Sequence, residues 1–100
     1  MKVKLVKSAE FATEIYQGTV LVDFFTPTCG PCRKMAPILE ECTDFVKVIK
    51  VDASQDLDLT AKMEIRAVPT LVLFKDGTEV KRAVGLHTKL DIQKMVEEAL

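Results

Sequence analysis

The sequence predicts an α/β domain, a mixed and mostly buried sheet with helices on both faces. Three observations carry that expectation. Short β-branched and aromatic runs such as Val20-Leu21-Val22-Asp23-Phe24-Phe25 alternate with segments of helical apolar spacing. The early runs are apolar on both faces, as in strands joined by crossover helices. Asp76-Gly77 then marks a tight hairpin late in the chain. The order is β-α-β-α-β-α-β-β-α, with parallel crossovers first and an antiparallel pair near the end.

The 100 residues, 48% of them hydrophobic, fit one compact domain spanning 1–100. Basic and acidic residues number 14 and 15 and are spread along the chain, which points away from nucleic acid and anionic membranes. No apolar run approaches the roughly 20 residues of a spanning helix. Met1-Lys2-Val3-Lys4-Leu5 lacks the apolar stretch of a signal peptide. Three cysteines without a framework spacing suit a chain kept reduced in the cytosol.

Val3–Val6 is expected to form a short first strand. Ser8 is the predicted N-cap of a short helix with Phe11, Ala12 and Ile15 inward and Gly18 ending it. The second strand spans about Val20 to Phe25 and holds one polar residue, Asp23. In a strand apolar on both faces that carboxyl is desolvated and its pKa is raised; on a half-exposed strand it is solvated. The second helix, Pro31 to about Asp44, turns Met35, Ile38, Leu39, Cys42 and Val46 to one face, with Pro37 expected to kink it. Cys42 reads as a small core hydrophobe. Val46–Asp52 is the third strand, where Lys50 is either a strand-end surface lysine or a partner for Asp23. Ser54 or Asp56 caps a short helix through about Met63, with Leu59 and Met63 on one side. Pro69 precedes a fourth strand, Leu71–Phe74, and Glu79–Val84 forms the fifth, ending at Gly85. Thr88-Lys89-Leu90-Asp91 is a capping box for a last helix facing inward through Ile92, Met95, Val96, Ala99 and Leu100. His87 reads as a solvated loop residue.

The chemistry-bearing stretch is Thr28-Cys29-Gly30-Pro31-Cys32-Arg33, at the seam between the second strand and second helix. A helix N-terminus offers unpaired N–H groups and the positive end of the macrodipole, which favour a thiolate. Residues i and i+3 there share a face, close enough for a reversible disulfide. Gly30 gives the backbone room to turn, and Pro31 suits the first helical turn. A lone C-x-x-C leaves three readings open: a reactive dithiol, a static disulfide, or half of a zinc site needing Cys42 and His87 as well. The short loop stabilises little as a static bridge, and Cys42 faces the core, so the reactive dithiol is favoured.

The chain resembles the thioredoxin family over essentially its whole length. The resemblance rests on Val22-Asp23-Phe24, Cys29-Gly30-Pro31-Cys32, Ala36-Pro37, Lys50-Val51-Asp52, Val68-Pro69-Thr70, Phe74-Lys75-Asp76-Gly77 and Gly85, in family order. It implies a five-stranded mixed central sheet flanked by four helices, and protein-disulfide reductase activity in the cytoplasm by a monomer. It implies Cys29 as exposed nucleophile, Cys32 as buried resolving thiol, and Asp23 as acid/base assisted by Lys50. It further implies a cis peptide at Val68-Pro69, with the Val68 backbone pairing with a substrate segment. Thr28, Gly30, Pro31, Ala67, Val68 and Gly85 would line the substrate groove. Protein disulfides and a thioredoxin reductase are the implied partners, and no metal or organic cofactor is required. Rival readings are a thiol oxidant or isomerase of the same fold, and a binding subunit with idle thiols. The departure from the family lies beside the dithiol, where Phe25 and Thr28 stand in place of tryptophan and Pro27 is unusual.

Overall fold

The computed structural model describes residues 2–100. Its elements are β1 (Lys4–Leu5), α1 (Ser8–Ile15), β2 (Thr19–Phe25), α2 (Gly30–Cys42), β3 (Lys47–Asp52), α3 (Leu57–Lys62), β4 (Thr70–Lys75), β5 (Thr78–Val84) and α4 (Lys89–Ala99). The strands form a five-stranded sheet ordered β1-β3-β2-β4-β5. β1 and β2 run parallel to β3, while β4 is antiparallel to β2 and to β5. This is the mixed sheet with four helices expected from the element order.

β2 is paired on both edges and packed on both faces, so Val20 to Phe24 are all buried. Period-two alternation sends Val20, Val22 and Phe24 into one core with Phe11, Ile15, Ile49, Val51, Leu59, Val72 and Phe74. Phe11 meets Phe74 edge-on at 5.7 Å and Phe24 at 6.3 Å, the offset arrangement that aromatic quadrupoles favour. Leu21 enters the opposite core with Met35, Leu39 and Cys42 of α2 and Ile92 and Val96 of α4. The same alternation puts Asp23 on the Leu21 side, under α2. No described helix is long and apolar enough to cross a membrane.

Several local expectations are corrected. Ser8 is the first helical residue, not the cap; Lys7 holds the cap position. Glu10 accepts the Lys7 N–H at 3.3 Å, and the Asp56 carboxylate accepts the Ser8 N–H at 3.2 Å. Asp56 precedes α3 as expected but makes no cap bond within it. Its carboxylate instead serves the orphan donors of α1. Ala12 is exposed, because two inward residues suffice for so short a helix. Leu100 lies past the end of α4 and is exposed. His87 is only partly solvated, its Nε2 3.2 Å from the Val84 carbonyl oxygen. The Thr88–Asp91 capping box forms with both bonds at 3.1 Å.

The hairpin has a two-residue loop, with Lys75 opposite Thr78. Asp76 and Gly77 take φ +50° and +86°, the left-handed pair that matches strand twist. Asp76 also exchanges bonds of 2.8 and 2.9 Å with the backbone of Gly18, tying the hairpin to the end of α1. A Cβ at Gly77 would meet Tyr16 Cα at 3.5 Å, ordinary contact, so conformational strain is what excludes a side chain. Gly77→Ala is expected to lower stability by about 1 kcal/mol, read from urea unfolding, with no change in thiol reactivity.

Candidate active site

The dithiol sits where β2 gives way to α2. Thr26-Pro27-Thr28 forms the connection, closed by the Cys29 N–H donating to the Thr26 carbonyl at 3.2 Å. Cys29 has extended φ/ψ and caps α2, while Gly30 and Pro31 are its first two helical residues. The Cys32 N–H donates to Cys29 Sγ at 3.1 Å. A group there receives an orphan helix donor as well as the dipole's positive end. The two cysteines are disulfide-bonded, with Cα atoms 5.2 Å apart. Cys32 is buried; Cys29 is half-buried rather than fully exposed, with Thr28, Gly30 and Pro31 open to solvent around it. Gly30 takes no left-handed φ, and a Cβ on it would meet nothing within 4 Å. Its small size therefore keeps the surface beside Cys29 open rather than permitting a special turn.

The second wall comes from the segment leading into β4, the antiparallel neighbour of β2. Val68-Pro69 is a cis peptide, and the Val68 carbonyl oxygen lies 3.8 Å from Cys29 Sγ. Thr70 Oγ1 donates to the Ala67 carbonyl at 2.7 Å, and the Gly85 N–H donates to the Pro69 carbonyl at 2.8 Å. Gly85 has φ +95°, a conformation that turns the chain as β5 ends. These bonds tie Ala67 and Gly85 to the Val68-Pro69 segment, whose Val68 carbonyl faces Cys29.

Beneath it lies a cavity of about 160 Å³ lined by Asp23, Phe25, Thr26, Cys32, Glu40 and Lys50, among others. Asp23 is 3% exposed. Its Oδ1 is buried without a hydrogen-bond partner among the described residues. Lys50 is opposite Asp23 in the β2–β3 register, and its ammonium lies 5.2 Å from the centre of the Phe25 ring. Among the described residues no ion pair joins Asp23 and Lys50; the lysine acts on the carboxyl across the cavity.

The Thioredoxin family model matches residues 2–98. The chain belongs to the thioredoxin family. It is 38% identical over 99 residues to the thioredoxin of Chlamydia muridarum, covering 96% of this chain and 97% of that one. It is 37% identical over 94 residues to the thioredoxin of Bacillus subtilis, covering 90% of each. A mutant thioredoxin of Halobacterium salinarum NRC-1 superposes with a TM-score of 0.91 at 31% identity, covering 97% of this chain and 89% of that chain. As a thioredoxin-family protein with a bonded Cys29–Cys32 pair, the chain is a thiol–disulfide oxidoreductase.

Within this thioredoxin site the buried carboxyl is the strongest electrostatic anomaly. Burial raises the Asp23 pKa from 3.8 to about 7, and the Lys50 charge opposes that rise without cancelling it. Burial likewise pushes the Cys42 thiol up to about 11, which suits its place in the core. Sequence reasoning missed Glu40 and Thr26 as cavity residues. Glu40 falls one turn after Ala36 and two turns after Arg33, which also line the cavity, so its spacing on α2 carried the signal. For Thr26 nothing in the sequence distinguishes a lining residue from a loop residue.

A raised folded pKa means the unfolded chain loses the Asp23 proton first. Stability therefore falls as pH rises from about 4 towards 7, by on the order of 4 kcal/mol once the folded carboxyl is ionised. Asp23→Asn removes that ionisation. Chemical unfolding should show the variant gaining several kcal/mol on the wild type between about pH 4 and pH 8. A gap independent of pH would contradict the desolvated carboxyl.

Proposed function

We propose that the protein reduces protein disulfides with Cys29 as nucleophile and Cys32 as resolving thiol. The observation that carries this reading is the Cys32 N–H directed at Cys29 Sγ at the helix cap, with the Cys32 side chain buried on the cavity that Asp23 also lines. The orphan helix N–H and the positive end of the dipole favour a thiolate at Cys29.

The Cys29 thiolate attacks one sulfur of the substrate disulfide, forming a mixed disulfide and expelling the other sulfur as a thiolate that takes a proton from solvent. Ionised Asp23 accepts the Cys32 proton through the cavity. The Cys32 thiolate then attacks Cys29 Sγ, forms the intramolecular disulfide and expels the second substrate sulfur as a thiolate, which takes up the proton held by Asp23. Two electrons have passed from the dithiol to the substrate. A carboxyl with pKa about 7 is present in both protonation states near neutral pH, which suits it to take a proton and give it back. Lys50 keeps the ionised form accessible. Electrons return from a thioredoxin reductase, and the protein works as a monomeric reductant in the cytoplasm, without metal or organic cofactor.

A substrate segment docks in extended form against the Val68 backbone, held there by Pro69, with Ala67 and Gly85 beneath it and Thr28, Gly30 and Pro31 at its edge. The open rim at these residues supports that role. Threonine at position 28 offers such a partner less apolar area than tryptophan does.

Cys32→Ser is expected to accumulate mixed disulfides with partner proteins, seen on non-reducing gels, while Cys29→Ser accumulates none; equal trapping would reverse the assignment. Thr28→Trp is expected to raise kcat/KM with protein disulfides roughly fivefold, since about 50 Å² of added contact at about 25 cal/mol per Å² is about 1 kcal/mol. The rate with a small disulfide should change far less. Equal changes in both would make position 28 a tuner of the thiol rather than a contact.

A further inference from the structure

We propose that Arg82 is a positioning residue for partner recognition, its guanidinium clamping the start of the segment that carries Ala67 and Val68. The proposal rests on the reading that this segment docks the substrate. Arg82 lies on the edge strand β5, far along the chain from the dithiol and outside the motifs that mark the site.

Arg82 is first fixed by its own strand. Nε and Nη2 donate to the two carboxylate oxygens of Glu79 at 2.8 and 2.9 Å, a bidentate pairing that orients the planar group. The remaining donors then reach across to the chain leaving α3. Nη2 donates to the Met63 carbonyl at 2.9 Å, and Nη1 to the Glu64 carbonyl at 3.4 Å. Those carbonyls belong to the C-cap residue of α3 and the residue after it, just beyond the helix. Glu64 takes φ +56°, a left-handed conformation that a residue with a Cβ adopts only when its surroundings hold it there.

The segment from Met63 to Pro69 is therefore pinned at two points by the end of β5. Arg82 holds its beginning, and the Gly85 N–H holds the Pro69 carbonyl at 2.8 Å. Between the pins Arg66 and Ala67 are exposed and Val68 is half-buried beside Cys29. Glu64, Ala67, Arg82 and Val84 also line one surface groove. A docked strand needs the Val68 N–H and C=O at a fixed height above the dithiol, and pre-ordering this segment lowers the cost of docking. A lysine cannot replace the clamp, because an ammonium lacks the planar fork that serves the carboxylate and both carbonyls together.

The test compares Arg82→Lys with wild type, using insulin as protein disulfide and cystine as small disulfide, with dithiothreitol as reductant. The expected result is a KM for insulin raised roughly fivefold with kcat nearly unchanged, and cystine turnover unaltered. Amide hydrogen exchange at residues 65–68 should quicken in the same variant. Adding Glu64→Gly, which accepts the left-handed φ without strain, should restore part of the insulin KM. An unaltered insulin KM in Arg82→Lys overturns the clamp, as does an equal loss with cystine. A wild-type protein that turns over cystine but not insulin contradicts the functional reading itself, and the clamp with it.

Discussion

A carboxyl stands in the middle of a strand that is hydrogen-bonded on both sides and covered on both faces, so Asp23 meets almost no water. That placement follows from ordinary strand geometry. Alternation along β2 puts Leu21, Asp23 and Phe25 on the α2 side, and the strand then runs directly into the loop that delivers Cys29. The carboxyl and the dithiol are only a few residues apart along the chain, so their proximity survives any rearrangement that leaves β2 and the start of α2 intact. The cost is borne in stability, as expected where burial meets an ionisable group whose Oδ1 has no hydrogen-bond partner among the described residues.

The two cysteines have different surroundings because a helix N-terminus is asymmetric. The first thiol lies outside the helix and collects the Cys32 N–H, whereas the second is inside the first turn and against the cavity. In the proposed mechanism the helix favours a thiolate on the first sulfur, and Asp23 serves the second. Lys50 is restrained over the Phe25 ring rather than paired with Asp23. Its charge moderates the carboxyl without locking it in the ionised state. A close ion pair would hold Asp23 ionised and remove its ability to carry a proton near neutral pH.

Most of this was legible in the sequence, for local physical reasons. The doubly apolar run of β2, the Asp76-Gly77 turn and the Thr88–Asp91 capping box are signals within a few residues, and each formed as read. The dithiol and Asp23 stood out because both break the apolar or helical pattern around them. The errors came from contacts between distant segments. Ser8 looked like a cap, but Asp56 supplies the acceptor from 48 residues away. Thr26 joins the cavity only once α2 is laid across β2. Arg82 is an unremarkable strand residue until the end of α3 is brought beside β5. Whether Lys50 faced solvent or Asp23 depended on β2–β3 register, which the pattern of a fully apolar strand does not specify.

The most direct test of the account follows the Asp23 carboxyl itself, by recording the pH dependence of its carboxyl carbon resonance in the oxidised protein. Desolvation beneath the dithiol predicts a titration midpoint of about 7. A midpoint near the ordinary value of about 3.9 would mean that water or an ion pair reaches the group, and that it is no proton carrier for Cys32.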